Sequence, residues 1–187
     1  PEINYDFNAP IRQYGTISDN YREIRLLAYF LQDFGADLAV LPADIDPDFV
    51  KPGDTHTLRV SVRHDDTHGY IFVNNYQRRL TMDDHKDVVL KGKTKGEPVC
   101  FPKTDIASGE YAFYPYNMKI GNAVLVSALA TPLCKLSCKD EDVYVFYGDK
   151  DPQFTWDGTP AKVLHLSRAD ALSAARVTLK DQQEYLV

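Results

Sequence analysis

The sequence predicts a mainly β protein: an antiparallel β-sandwich-like domain preceded by one amphipathic helix. Three observations carry this. After Ser18, apolar residues recur at spacings of three and four, the stripe of a helix with one apolar side. Past residue 53 the period drops to two, with Leu58, Val60 and Val62 alternating with Arg59, Ser61 and Arg63. Turn-forming clusters then punctuate the chain at short intervals, as in sandwiches of many short strands.

Pro1 to Ser18, rich in Asn, Pro and Gly, reads as an extended end and loop. Ser18 or Asp19 supplies an N-cap, Tyr21, Ile24, Leu27, Ala28, Leu31 and Phe34 form the stripe, and Gly35 stands where a C-cap belongs. The helix is therefore expected over 19–34. Isolated helices of this length are marginal in water, so the stripe must be covered by the sheet, a copy of itself or a domain outside this chain. With its barrel missing, as argued below, it is expected to be solvent-exposed or packed on a neighbouring molecule. Residues 36–53, with prolines at 42, 47 and 52, read as a linker that holds the domain boundary. Further strands are predicted at Tyr70–Asn75, Asp87–Leu90, Tyr111–Tyr116, Ala123–Ala130, Leu133–Cys138, Val143–Tyr147 and Val163–Leu166. Asp66-Thr67-His68-Gly69, Ser108-Gly109, Gly148 to Pro152 and Asp157-Gly158 are turns, and Ser167–Ala175 is a short helix.

The apolar fraction of 44% suffices for a core, and the net charge of −6 with scattered Lys and Arg argues against a nucleic-acid surface. The densest basic cluster, Lys91 to Lys95, is broken by Gly92 and reads as a solvated hairpin tip. No run approaches the roughly 20 apolar residues that span a bilayer. Cys100, Cys134 and Cys138 make an odd count, against a disulfide framework.

Several constellations invite chemistry. His64-Asp65-Asp66-Thr67-His68 gathers two imidazoles and two carboxylates, a metal-like set, but it joins two strands and reads as a polar hairpin loop. Asp44, Asp46 and Asp48 mimic the start of a calcium loop; Pro47 intervenes, no glycine follows at the sixth position, and Thr55 stands where the bidentate Glu is needed. No metal and no other cofactor is expected. Cys134 and Cys138 share a predicted strand, about 13 Å apart at about 3.3 Å per residue, and read as buried free thiols. Tyr111, Phe113, Tyr114, Tyr116, Tyr144, Phe146 and Tyr147 are expected in cross-strand packing, with Trp156 in a turn. The six glutamates, at 2, 23, 97, 110, 141 and 184, suggest no pair in one cleft.

Tyr5-Asp6-Phe7-Asn8-Ala9-Pro10-Ile11 resembles the Thr-Ser-Tyr-Asp-Tyr-Asp-Ala-Pro stretch that closes the catalytic barrel of glycoside hydrolase family 35, the β-galactosidase family. Asn20 to Leu27 looks like that barrel's last helix. Gly69-Tyr70-Ile71-Phe72-Val73-Asn74-Asn75-Tyr76-Gln77-Arg78 resembles a run of the β domain that follows the barrel, and Val143 to Gly148 with Phe154 is similar to a later strand pair there. The resemblance implies that 1–38 is the last strand and helix of a TIM-type barrel and that 39–187 is a β-sandwich-like accessory domain. It also implies a parent that hydrolyses terminal β-D-galactosides with two glutamates about 5 Å apart. Both would come from barrel strands ahead of Tyr5, so no catalytic residue is expected in this chain. Tyr5 falls at the family's sugar-pocket aromatic and is the one expected substrate-binding residue. Phe7 and Asn8 depart from the family's Tyr and Asp.

Three functions follow from the sequence. The first is the non-catalytic C-terminal part of a β-galactosidase, whose partners are a galactoside-type carbohydrate and the missing catalytic barrel. A secreted or periplasmic location is the family's expectation. The second is a self-contained carbohydrate-binding module stacking sugars on Trp156 or the Tyr-rich strands. The third is a metal-dependent enzyme using His64 and His68.

Overall fold

The computed structural model describes residues 6–44, 49–138, 141–160, 162–167, 169, 176–178 and 184–186. A 3-10 turn, Asp6–Asn8, is followed by helix α1, Asp19–Val40. The strands are β1 Ala43–Asp44, β2 Arg59–His64, β3 Gly69–Asn74, β4 His85–Val88, β5 Lys91–Gly92, β6 Val99–Cys100, β7 Thr104–Ile106, β8 Tyr111–Ile120, β9 Ala123–Ala128, β10 Thr131–Cys138, β11 Glu141–Tyr147, β12 Phe154–Asp157, β13 Arg176–Thr178 and β14 Glu184–Leu186.

One antiparallel sheet organises the molecule, in the order β1-β2-β3-β8-β9-β12. Ile71 and Val73 of β3 face one side, and Tyr70 and Phe72 face the other, as the period of two requires. The first side is covered by the short ladders β4-β7 and β5-β6. Ile106 of β7, with Leu90 just before β5 and Phe101 just after β6, packs with Val62, Ile71, Val73, Tyr116 and Leu129. The second side is covered by α1 and the β10-β11 hairpin, where Phe30, Phe34 and Leu41 meet Tyr70, Met118, Leu125 and Ala128. The result is three layers with the large sheet in the middle. Asn117 takes a left-handed backbone, φ 50°, and on either side of it Tyr116 joins the first core while Met118 joins the second.

The helix differs from expectation in two respects. It continues through Gly35 to Val40, so Gly35 is not its C-cap, and the first five residues of the expected linker are helical. Gly35 lacks the left-handed φ of a glycine cap, and the chain leaves the helix through an extended Leu41. Nε and Nη2 of Arg63 donate to the Leu41 carbonyl at 3.1 and 2.7 Å, anchoring this end of α1 to β2. The buried stripe is also not the expected one. Phe30 and Phe34 are 1% and 7% exposed and Leu38 is half-buried, whereas Ile24, Leu27 and Leu31 are 50%, 47% and 45% exposed. Only Phe34 belongs to both sets.

The other strand expectations hold closely, with three exceptions, of which the first is that the strand expected over Asp87–Leu90 lies at His85–Val88. Val163–Leu166 joins no ladder. In β2, Val60 is 41% exposed although it alternates with its neighbours. The cause is the brevity of β1, whose two residues pair only Val62 and Arg63 and leave the start of β2 as an edge. The helix expected over Ser167–Ala175 falls mostly outside the described residues.

Candidate functional site

A cleft of about 400 Å³ opens where three elements meet: α1, the β10-β11 hairpin, and the turn between β2 and β3 with the neighbouring part of β8. Phe34, Tyr70 and Met118 line it with apolar surface, and each is itself buried. Asp33, Asp37, His68, Asn117, Lys119 and Lys135 line it with polar groups.

Asp37 is the hub of the polar wall. Its Oδ1 lies 3.0 Å from Nε2 of His68, and the Tyr70 hydroxyl donates to its Oδ2 at 3.0 Å. Burial, reinforced by the Asp37 charge, pushes the Tyr70 phenol well above its ordinary pKa, so it stays a donor. His68 is oriented by the turn that carries it. Asp65 Oδ1 accepts the backbone N–H of His68 at 2.9 Å, together with the Thr67 backbone N–H and hydroxyl. These bonds hold the Asp65 carboxyl far below the usual carboxylate range, the His68 amide contributing most. One turn back along α1, Asp33 accepts the Lys135 backbone N–H at 2.8 Å and ties the helix to β10. Lys135 Nζ reaches Asp142 at 2.8 Å and lies 5.5 Å from the Tyr144 ring centroid. Asn117 Nδ2 donates to the Thr67 carbonyl at 2.8 Å.

Sequence reasoning found His68 and missed Asp33, Asp37 and Lys135. A signal existed. In Phe30-x-x-Asp33-Phe34-x-x-Asp37-Leu38 the acids share the helical face of the core-facing residues, where an exposed acid has no reason to be.

Asp33 and Asp37 sit on one wall, on successive turns of the same helix, and both oxygens of Asp37 are engaged. Retaining or inverting hydrolysis needs two carboxyl groups flanking the scissile bond from different sides. These two do not offer that arrangement. The described glutamates offer no alternative. Glu110 accepts the Ala107 N–H and pairs with Lys150, both at 2.8 Å, and so acts as a loop clamp.

The remaining expected residues disperse. Tyr5, the expected sugar-binding residue, lies outside the described residues, as do Asp46 and Asp48. Asp44 is ion-paired with Lys93 and lies 3.7 Å from His64 Nε2. His64 and His68 thus turn to different acids, and among the described residues no three His, Cys, Asp or Glu side chains are grouped to hold a metal ion. Residues 65–68 form the expected hairpin turn. Cys134, expected as a buried free thiol, is free and partly buried, its thiol pushed up by burial; the side chain of Cys138, expected likewise, lies outside the described residues, and Cys100 is free and exposed. The Lys91–Lys95 segment is a hairpin, but Gly92 is buried against the Tyr116 ring. Trp156 lies not in the expected turn but in β12, opposite Leu125 of β9; it is half-buried and packs on Phe154 with ring centroids 6.3 Å apart.

The Asn74-Asn75-Tyr76-Gln77-Arg78 segment has a structural centre. Asn75 is fully buried, and its Nδ2 donates to the carbonyls of Asp83 and Ala107, both at 2.9 Å. Its backbone N–H donates to the Glu110 carbonyl and its carbonyl accepts the Gly109 N–H. Asn75 therefore ties two loops together at the end of β3, the one that follows it and the 107–110 turn.

The chain matches no protein-family model, and no curated protein is significantly similar to it. No described helix is long and apolar enough to cross a membrane.

Proposed function

We propose that the chain is the non-catalytic C-terminal part of a β-galactosidase-type glycoside hydrolase. Hydrolysis of terminal β-D-galactosides belongs to the intact parent, and the β domain buttresses the catalytic barrel. The observation that carries the reading is the exposed apolar surface of α1 that adjoins its core side. One side of the helix, through Phe30, Phe34 and Leu38, holds the sheet. Ile24, Leu27, Ala28 and Leu31 extend and widen this apolar side toward the helix N-terminus at spacings of three and four, and all four are exposed. A helix that is apolar beyond its core side is normally covered there too. In a barrel's final helix such surface packs on its neighbours.

Two further points support the reading. The motif with the most specific resemblance centres on Asn75, whose role is to organise the β domain, as expected of a buttress rather than an active site. The cleft acids also do not form a two-carboxylate pair. Hydroxyl-radical footprinting tests the docking: Ile24, Leu27 and Leu31 should be oxidised readily in residues 1–187 alone. In a longer polypeptide that carries the barrel they should be protected. Equal labelling in both would remove the docking face.

A further inference from the structure

We propose that the cleft between α1 and the β10-β11 hairpin is a binding site for a pyranose sugar. The inference goes beyond the proposed function and does not depend on it: Asp33, Phe34 and Asp37 come from the helix read as the end of a barrel, but the cleft is closed by His68, Asn117, Lys119 and Lys135 of the β region. The geometry has three parts.

The first is amphipathic shape. A pyranose ring has carbon-bearing faces and a hydroxyl rim, and the cleft sets the half-buried Tyr144 ring, over a floor of buried Phe34, Tyr70 and Met118, beside a polar rim. Its volume, about 400 Å³, falls within the range of small-molecule pockets.

The second is a mixture of donors and acceptors. Each sugar hydroxyl both donates and accepts, so neighbouring hydroxyls are best met by a carboxylate or amide oxygen beside an ammonium group. Asp33 uses Oδ2 for the Lys135 amide, which leaves Oδ1 as an acceptor. Asn117 uses Nδ2 for the Thr67 carbonyl, which leaves its Oδ1. Lys119 is exposed on the rim and supplies the donor. A purely anionic or cationic ligand would meet repulsion from one half of this set, and an apolar one would strand its charges.

The third is preorganisation. Asp37 is fixed by His68 and Tyr70, His68 by Asp65, Asp33 by the β10 backbone and Lys135 by Asp142. A rim ordered before the ligand arrives loses little entropy on binding.

The test is an amide NMR titration of the whole chain with methyl β-D-galactopyranoside and methyl β-D-glucopyranoside, with sorbitol as an open-chain control. Saturable shifts are expected at Asp33, Lys119 and Lys135 for at least one glycoside, with a Kd of about 1–10 mM. Asp33→Asn keeps an oxygen for the Lys135 amide while removing the charge, and Lys119→Ala removes an exposed side chain, so both variants should fold. Each should raise Kd about tenfold. The proposal is overturned if neither glycoside gives saturable shifts, if sorbitol gives the same shifts, or if both variants bind like the wild type.

Discussion

Replacing Asn75 by alanine should cost this protein more than any other single polar deletion at the end of β3. The side chain is fully buried and makes two hydrogen bonds of 2.9 Å, to the carbonyls of Asp83 and Ala107. At about 1 kcal/mol for each net bond, the loss is about 2 kcal/mol, and the small cavity left behind raises it to about 2–3 kcal/mol. The deletion leaves two carbonyls without these donors but also removes Asn75 Oδ1, which is buried with no hydrogen-bond partner among the described residues, and the two effects offset each other. In guanidinium denaturation the midpoint should fall with little change in slope, and Tm should drop by roughly 5–10 °C. Asn75→Asp separates hydrogen bonding from packing. It preserves volume but turns a carboxylate oxygen toward two carbonyl oxygens, so at pH 7 it should be less stable than Asn75→Ala and should recover as pH is lowered and the acid protonates. An alanine variant within about 0.5 kcal/mol of wild type, the spread of ordinary surface substitutions, would refute the reasoning.

The other predictions address packing and pH. Phe30→Ala should lose about 3–5 kcal/mol, whereas Leu31→Ala, one residue on and 45% exposed, should lose less than about 1 kcal/mol in chemical denaturation of the chain alone; similar losses would mean that α1 is turned differently. Gly92→Ala should destabilise by about 1–3 kcal/mol, because a Cβ there would lie 2.8 Å from three atoms of the Tyr116 ring, which is pinned by its hydroxyl to the Lys93 carbonyl. Gly35→Ala should instead raise Tm, since its Cβ meets only Leu31, at 3.6 Å, and alanine is the better helix former. The Asp54 carboxyl is lowered from 3.8 to about 2, chiefly by the Thr57 hydroxyl and then by the Thr57 and His56 amides. A carboxyl held lower in the folded than in the unfolded chain stabilises the fold above 3.8 and loses that contribution as pH falls toward 2. Acid titration of stability should therefore be shallower in Asp54→Ala over that interval, and parallel curves would contradict this.

What could be read from residues alone was the part governed by local periodicity. The alternation in β2 and β3 and the turn at 65–68 are consequences of neighbours two to four positions apart, and they appear where expected. The helix face was harder. Ile24, Leu27, Ala28 and Leu31 outnumber Phe30, Phe34 and Leu38 in a stripe count, yet the aromatic set fills the hollow against Tyr70 and Phe113, with Phe30 centroid distances of 5.6 and 4.5 Å. A sequence pattern ranks stripes by membership; the sheet selects by shape. Gly35 misled for a related reason, because a helix clamped by Phe34 on one side and Arg63 at its end tolerates a residue that usually stops one. The cleft was the least legible feature. Its bonds join Asp37 to His68 across 31 residues and Asp33 to Lys135 across 102, and no local pattern encodes such pairings.

The account rests on the division between a supporting β domain and chemistry supplied elsewhere. The direct measurement is release of nitrophenol from a nitrophenyl β-D-galactoside by residues 1–187 and, in parallel, by a longer polypeptide with the proposed barrel ahead of Pro1. Turnover by the longer protein alone is the predicted result. Turnover by residues 1–187 that disappears in Asp33→Asn or Asp37→Asn would contradict the account, because it would make the cleft wall itself the catalytic machinery.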